Sequence, residues 1–279
     1  MVEADTGAIR TRIAVAGDLF RAAITADATR VYVTSRASDI VSIVDTATDM
    51  PIGSIAVGDG PNGIAITRDG TTAYVTNEFS NTVAVIDLAD RTVRKTIGVG
   101  IAPTDITIAS NEFAYVSNRL SGTVSVIDLM TDEEIDQIAV GDQPEGLEVT
   151  PDNRALYVAQ GAANTVAVID PRTRMVIDHV TVGERPRDVA ISPDGNLVYA
   201  VSSFSQTISV IDTFTNEEIS QIVVGFEPVR VALTPDGQFI YIASFTANSI
   251  GVLPAGGTDV TNVIGIGGSP TDLAIGVPP

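Results

Sequence analysis

The chain has 279 residues, a net charge of −19 at pH 7, no cysteine and a single histidine. The acidity argues against nucleic acid as a partner, since nucleic-acid-binding surfaces are basic, and the lack of cysteine excludes disulfides and thiolate chemistry. No apolar run approaches the roughly 18 residues of a membrane span, so we expect no membrane insertion. The start, MVEADTGAIRTR, lacks the apolar segment of a signal peptide.

Two sequence markers recur along the chain with one period. The first is a tyrosine every 41 or 42 residues: Tyr32, Tyr74, Tyr115, Tyr157, Tyr199 and Tyr241. The second is a Gly-x-x-Pro turn at Gly58/Pro61, Gly100/Pro103, Gly141/Pro144, Gly183/Pro186, Gly225/Pro228 and Gly267/Pro270. Gly17 and Phe20 occupy the same slot near the start. This shared period predicts a chain built from one repeated structural unit.

The unit that opens at Pro186 illustrates the order of elements within each repeat. Its segments are RDVAIS, the turn PDG, LVYAVS, the bend SFSQ, TISVID, the polar link TFTNEE, and ISQIVV. The four apolar segments are rich in valine and isoleucine and are bounded by turn residues, which is typical of β-strands. The Asp-Gly pair favours a tight hairpin between the first two strands. Each repeat therefore predicts four antiparallel strands.

Four antiparallel strands in a repeat of about 42 residues are typical of a propeller blade. We predict an all-β fold, a seven-bladed β-propeller of four-stranded antiparallel blades that occupies residues 1–279 as a single domain. The complete blades are predicted at 20–57, 61–99, 103–140, 144–182, 186–224 and 228–266. An incomplete closing blade, shared by the two termini, combines 1–17 with 270–279.

The closing blade departs from the pattern. Seven segments have the sequence of a first strand, but only six tyrosine-bearing second strands follow them. Ile9–Gly17 has the pattern of a fourth strand, and Val2–Asp5 could be a remnant of a third. Three explanations stay open: the chain is a fragment of a longer propeller, another chain fills the gap, or the last blade is thin and hydrated.

One tetrapeptide carries a family resemblance. YVTN stands at Tyr74–Asn77, and YVTS, YVSN, YVAQ, YAVS and YIAS take the equivalent positions. With the Pro-Asp-Gly turn, the VSVID segment at Val124–Asp128 and the VG-x-x-P turn, the chain resembles the YVTN-repeat β-propeller family over essentially its whole length. The resemblance implies the propeller fold. It implies no single function, because the family includes cell-surface proteins, enzyme subunits and secreted proteins.

Antiparallel blades place the loops on two opposite rims. The Gly-x-x-Pro loops and the bends after the tyrosine strands form one rim, here called the loop rim. The Asp-Gly turns and the polar links form the other, acidic rim. Aromatic and arginine side chains, which are enriched at binding hot spots, are predicted on the loop rim together with one leucine. The predicted residues are Phe20, Arg21, Arg36, Phe79, Arg119, Leu120, Arg187, Phe204, Phe226, Arg230 and Phe245. These phenylalanines either bind a partner or fold back as lids on the blade edges.

Acidic residues one or two positions after the turn prolines are predicted at the mouth of the central channel. They are Asp105, Glu145, Asp188 and Asp272, opposed by Arg187 and Arg230. Such charges either neutralise one another or bind a ligand. His179 is predicted on an outermost strand, away from any channel. We therefore assign no catalytic residue, metal ligand or cofactor from the sequence, and the turn aspartates are interpreted as caps of their turns.

Two functional hypotheses follow. The favoured one is a non-enzymatic binding or scaffold propeller, extracytoplasmic or at the cell surface, that presents the loop rim to a protein or glycan. The alternative is an enzyme or enzyme subunit with a site at the channel mouth, by analogy with lactonase, lyase and dehydrogenase-associated propellers. That alternative requires convergent carboxylates with shifted pKa values or a bound cofactor.

Overall fold

The computed structural model describes residues 1–2, 8–15 and 17–276, which form six four-stranded antiparallel sheets, each built from consecutive strands. The first strands are β1 (Leu19–Ile24), β5 (Pro61–Ile66), β9 (Pro103–Ile108), β13 (Pro144–Val149), β17 (Pro186–Ile191) and β21 (Pro228–Leu233). The second strands are β2 (Arg30–Ser35), β6 (Thr72–Asn77), β10 (Phe113–Asn118), β14 (Leu156–Gln160), β18 (Leu197–Ser202) and β22 (Phe239–Ser244).

The remaining strands complete each sheet. The third strands are β3 (Ile40–Asp45), β7 (Thr82–Asp87), β11 (Thr123–Asp128), β15 (Thr165–Asp170), β19 (Thr207–Asp212) and β23 (Ser249–Pro254). The fourth strands are β4 (Met50–Ala56), β8 (Thr92–Gly98), β12 (Glu133–Ala139), β16 (Met175–Thr181), β20 (Glu217–Val223) and β24 (Asn262–Gly265). The chain is thus a β-propeller with four-stranded antiparallel blades, as the sequence predicted.

Local turn chemistry explains where the strands end. In the turn after β5, the Asp69 carboxylate accepts hydrogen bonds from the Thr67 hydroxyl and the Thr71 backbone N–H, and Gly70 adopts a φ of +70°. These bonds satisfy backbone groups that the tight turn leaves unpaired, and they hold the pKa of Asp69 below its usual value. The same arrangement recurs in four of the other five repeats, at Asp27, Asp152, Asp194 and Asp236. The third repeat has no aspartate in this turn.

The core lies between the blades. First strands of consecutive blades contact each other, from β1 with β5 through to β17 with β21, so they line the central axis. Tyr74 and Val85 on one face of the second blade pack against Ala114 and Val116 on the facing side of the third. A single blade cannot bury both of its apolar faces, so stacking supplies the hydrophobic stabilisation. The fourth strands of the blades lie at the periphery of the propeller. One of them, β16, carries the exposed His179.

The termini lie between the sixth and first blades. Val2 and Ile9 form an isolated antiparallel bridge, and no strand is assigned within the described residues 266–276. The Asp272 carboxylate accepts a hydrogen bond from the Ala22 backbone N–H in β1 and also lies 3.5 Å from Nε of Arg230 in β21. The segment that carries Asp272 therefore joins the two blades at the axis. Parts of the predicted closing blade, at 3–7, 16 and 277–279, lie outside the described residues.

None of the described residues belongs to a helix that could cross a membrane.

Candidate functional site

Strand register defines two rings of residues along the central channel. In every blade one residue of the first strand pairs directly with the repeat tyrosine; these residues are Ala23, Ala65, Thr107, Glu148, Ala190 and Ala232. Two positions earlier, on the same side of each strand, stand Arg21, Gly63, Asp105, Gly146, Asp188 and Arg230. Asp272 continues this second ring between the sixth and first blades. We call these sets the tyrosine-paired ring and the charged ring.

Arg21 is the central cation of the charged ring. Its guanidinium lies 3.0 Å from the Asp105 carboxylate and 3.4 Å from that of Asp272, and the side chain is only 8% exposed. Burial alone would lower the pKa of Arg21, but attraction to Asp105, Asp272 and Asp188 outweighs it and raises the pKa. Arg230 pairs with Asp188 at 3.2 Å and with Asp272 at 3.5 Å. Two cations therefore share three carboxylates.

The carboxylates of the charged ring also connect neighbouring blades. Asp105 accepts a hydrogen bond from the backbone N–H of Leu147 in the next blade. Asp188 accepts one from Val231, and Asp272 accepts one from Ala22, each again in the following blade. Burial nevertheless raises the pKa of all three aspartates above the usual range. These groups are thus structural clamps whose charge is costly to keep in the interior.

Glu148 is the one acid in the tyrosine-paired ring, where most blades have alanine. Burial raises its pKa to about 7, although the Ile191 backbone N–H donates to its carboxylate at 2.8 Å. Glu148 lines a channel cavity of about 250 Å³ together with Arg21, Asp105, Asp188 and Asp272. It also lines a second cavity of about 240 Å³ towards the acidic rim. Glu148 therefore lies where the two cavities meet. Its pKa is that expected of a group that exchanges protons near neutral pH.

Arg21 retains a buried donor beside this cavity. Its Nε has no hydrogen-bond partner among the described residues, and the residue as a whole is 7% exposed. Together, the Arg21 and Glu148 side chains give the channel cavity polar groups of the kind that hold water or a small polar molecule.

A further charge cluster lies at the mouth of the channel on the loop rim. The buried Glu78 carboxylate pairs with Arg36 at 2.6 Å and with Arg119 at 3.1 Å, and accepts a hydrogen bond from the Asn62 amide. Glu145 pairs with Arg187 at 3.0 Å. Burial raises the pKa of Glu145, while the Arg187 charge opposes that shift. At the mouth, Glu78 is thus shared by two arginines, whereas Glu145 pairs with one.

Exposed apolar side chains follow the tyrosine strands on the loop rim. Phe79 and Leu120 are each 63% exposed, Phe204 is 59% exposed and Phe245 is 49% exposed. The Arg36 guanidinium lies 4.9 Å from the Phe79 ring centroid and 5.2 Å from that of Phe20, which is half-buried. Arg185 stacks in the same way 4.8 Å from the Phe204 ring. The four side chains that follow the tyrosine strands are too exposed to act as lids on the core: Phe79, Leu120, Phe204 and Phe245.

Several predicted rim residues lie elsewhere. Arg21 is not on the rim: Leu19, rather than Phe20, is the counterpart of Pro61, because Leu19 pairs with Ser35 as Pro61 pairs with Asn77. That register turns Arg21 into the channel. Arg230 is likewise drawn into the charged ring, with 11% of its side chain exposed. Phe226 is half-buried against the core of the sixth blade.

The structure separates the four acidic residues that were predicted together at the channel mouth. Asp105, Asp188 and Asp272 lie together in the charged ring, but Glu145 lies apart from them beside Arg187. The sequence reasoning missed Glu148 and Glu78. Aligning the repeats on their tyrosines would have found Glu148, since it replaces the alanine seen at Ala65, Ala190 and Ala232. Across the part of the chain that is described, no group of three acidic or histidine side chains is arranged to hold a metal ion.

Comparison with known proteins gives a family and a fold. A family model described as "Lactonase, 7-bladed beta-propeller" matches residues 22–174 and 147–216. A solved structure titled "Kuenenia stuttgartiensis Hydrazine Synthase" is similar, with a TM-score of 0.87 and 20% sequence identity over 96% of this chain and 93% of that chain. At that identity the likeness shows the fold alone. No curated protein matches the chain.

Proposed function

The chain belongs to the lactonase family of seven-bladed β-propellers, and we propose that it works as a non-enzymatic binding propeller that presents its loop rim to a protein partner outside the cytoplasm. The proposal includes a seventh blade position between the sixth and first blades. The contacts of Asp272 with both of those blades support that arrangement.

The observation that carries the proposal is the exposure of Phe79, Leu120, Phe204 and Phe245 on one rim. Each side chain would lose apolar surface to a partner, at about 25 cal/mol per Å². Large aromatic side chains with few rotatable bonds are also the residues that dominate binding energy.

The rim is already organised for binding. The Arg36 guanidinium pairs with Glu78 and lies against two phenylalanine rings. Because its conformation is already restricted, it would lose little conformational entropy when a partner binds. The exposed Arg185 beside Phe204 adds a donor for carboxylates. We therefore expect a protein partner with apolar pockets next to acidic side chains.

The channel supports a second candidate function. Glu148 has a pKa of about 7 and faces a cavity that Arg21 also lines. Glu148 could take a proton from water while Arg21 stabilises a developing oxyanion, which is the chemistry of ester or lactone hydrolysis. We favour binding because the three aspartates of the charged ring are occupied in clamping neighbouring blades.

A pair of matched triple variants tests the binding function. The rim variant replaces Phe79, Phe204 and Phe245 with serine. The control variant replaces three apolar residues of the acidic rim that are at least as exposed, Met130, Met175 and Phe214, with serine. Immobilised wild type and both variants would capture partners from an extract of the source cells, with cross-linking to map the contacts.

We expect the rim variant to lose capture, the control variant to retain it, and both to keep the wild-type thermal midpoint within a few degrees. Capture by the rim variant would contradict the proposal, as would binding to a glycan array in place of protein. Hydrolysis of small lactones by wild type but not by Glu148→Gln would favour the second function.

A further inference from the structure

The outermost strands of the third, fourth and fifth blades share an exposed isoleucine. Each of these strands, β12, β16 and β20, contains a β-bulge at which one residue has no partner in the neighbouring strand. That residue is Ile135, Ile177 or Ile219, and the three are 40%, 56% and 58% exposed. Because β12 contacts β16 and β16 contacts β20, the three side chains form a row along one side of the propeller, here called the isoleucine row.

The isoleucine row is confined to these three blades. At the same position of the outer strand, the first blade has the half-buried Ile52, the second has Arg94 and the sixth has Thr261. Outward positions of a strand with one face in water are normally polar. Exposed isoleucine at this position in three adjacent blades therefore favours a surface that another molecule covers.

Carboxylates flank the row in excess of cations. The strands β12, β16 and β20 contain no lysine or arginine, and their acidic residues are Glu133, Glu134, Asp136, Asp178, Glu217 and Glu218. From neighbouring segments, Lys95 pairs with Glu133 at 3.9 Å and Arg174 pairs with Asp136 at 3.4 Å. The other four carboxylates form no ion pair with any residue that the structure describes. The row thus combines apolar side chains with uncompensated negative charge.

The backbone of these outer strands is poorly suited to pairing with an added strand. A bulge interrupts the hydrogen-bond ladder and bends the strand. The Asp136 carboxylate also accepts a hydrogen bond from the Gln137 N–H, and the Asp178 carboxylate accepts one from the His179 N–H, each at 2.8 Å. A partner would therefore contact the side chains of the row rather than extend a sheet.

We propose that the isoleucine row binds a basic amphipathic segment of a partner protein. Apolar side chains of that segment cover Ile135, Ile177 and Ile219, and its lysine or arginine side chains pair with the flanking carboxylates. Opposite charge favours this occupant and steers its approach. A second copy of the chain would bring the same carboxylates face to face, and an anionic membrane would be repelled in the same way.

The row lies at the periphery of the propeller and does not depend on the function proposed for the loop rim. A partner held here would cross-link to β12, β16 or β20, whereas a partner of the loop rim would cross-link near Phe79 or Phe204. The two proposals can therefore fail separately.

A synthetic peptide serves as the probe, about four helical turns long, with leucine on one face and lysine on the other. A peptide of the same composition, permuted so that it has no apolar face, is the control ligand. The row variant replaces Ile177 and Ile219 with serine. Its matched control replaces Met50 and Val263 with serine; these are 60% and 56% exposed on outer strands of other blades.

A second pair of variants separates local charge from net charge. Glu217→Gln with Glu218→Gln removes two exposed carboxylates beside Ile219, and Asp59→Asn with Asp142→Asn removes two exposed carboxylates from the loop rim. Both double variants have the same net charge, so only the position of the lost charge differs. Fluorescence anisotropy measures the affinity of the probe, and hydrogen exchange of the intact protein locates its site.

We expect saturable binding of the probe, slower exchange in β12, β16 and β20, and little binding of the permuted peptide. The row variant and the Glu217/Glu218 variant should each weaken probe binding at least about tenfold, because they remove buried apolar contact and local attraction. Their matched controls should leave the affinity unchanged.

Equal binding of the two peptides would overturn the proposal, since the attraction would then come from net charge alone. Equal affinity in the row variant and its control would overturn it as well. A dimer of the wild type, or binding to lipid vesicles, that the row variant abolishes would assign the row to a different occupant. The two-peptide comparison uses wild-type protein and therefore holds whether or not a variant folds.

Discussion

A Cβ atom on Gly146 would lie 2.1 Å from Oδ1 of Asp188 and 2.8 Å from the Cα of the same residue. β13 and β17 can approach this closely because the charged ring has glycine, without a side chain, at position 146. At Gly63, an added Cβ would in the same way meet the Cα of Asp105 at 2.8 Å. Glycine at these positions lets aspartates of adjacent blades reach the axis.

We expect Gly146→Ala to destabilise the protein by about 1–3 kcal/mol, the usual range for an overpacked interior. The contact includes backbone, so a rotation of the Asp188 side chain would not relieve it. Urea unfolding measures the change. Gly98→Ala is the control, because its Cβ would meet nothing within 4 Å; an equal loss in both variants would contradict the close-approach explanation.

The stability of the fold should depend on pH through Glu148. Its carboxyl has a pKa of about 7 in the folded protein, against an ordinary glutamate value of 4.5. A raised acid pKa means that the folded state holds its proton more tightly than the unfolded state does. The associated stability is therefore complete below pH 4.5 and is lost as the pH rises to about 7.

Glu148→Gln keeps an acceptor for the Ile191 N–H and cannot ionise. We expect it to be more stable than wild type at pH 8, by on the order of 1–3 kcal/mol, and to lose that advantage at pH 4.5. Urea unfolding of both proteins at the two pH values measures the difference. A pH-independent difference would show that Glu148 does not titrate in this range.

The 42-residue period allowed much of the fold to be predicted from sequence. The first repeat shows where that prediction failed. LVYAVS, predicted as a second strand, is β18 (Leu197–Ser202), because its apolar residues and the preceding Asp-Gly turn fix its register locally. The first repeat has no Gly-x-x-Pro turn, so nothing local fixed the register of β1. A one-residue shift moves a side chain to the other face, and this is why Arg21 was predicted on the rim but lies in the channel. Its ion pairs come from the third blade and the closing segment, which the local sequence cannot reveal.

Replacing Arg21 should be among the most damaging single changes. Arg21→Gln leaves Asp105 and Asp272 in the interior without their shared cation, and breaking a buried pair in this way costs about 3–5 kcal/mol. The loss should shrink as the pH falls, because protonated aspartates no longer need the cation. Unfolding at pH 8 and pH 5 measures both effects. Arg172→Gln, whose side chain is 78% exposed beside Asp170, should cost under about 1 kcal/mol.

Tyr74 tests the links between blades away from the channel. Its hydroxyl donates to Asp132 at 2.5 Å, across to the next blade, and burial and this bond raise the tyrosine pKa. Tyr74→Phe leaves the buried carboxylate short of a donor, so we expect a loss of about 1–3 kcal/mol.

Asp132→Asn should cost less, under about 1 kcal/mol, since it removes only the charge that pairs with the partly exposed Arg94. An amide oxygen can accept the same bond: Tyr157 donates to Asn216 at 2.8 Å in the equivalent place. Urea unfolding of the two single variants and the double variant gives the coupling energy between the residues. A larger loss in Asp132→Asn than in Tyr74→Phe would mean that the ion pair with Arg94, rather than the tyrosine bond, holds these blades together.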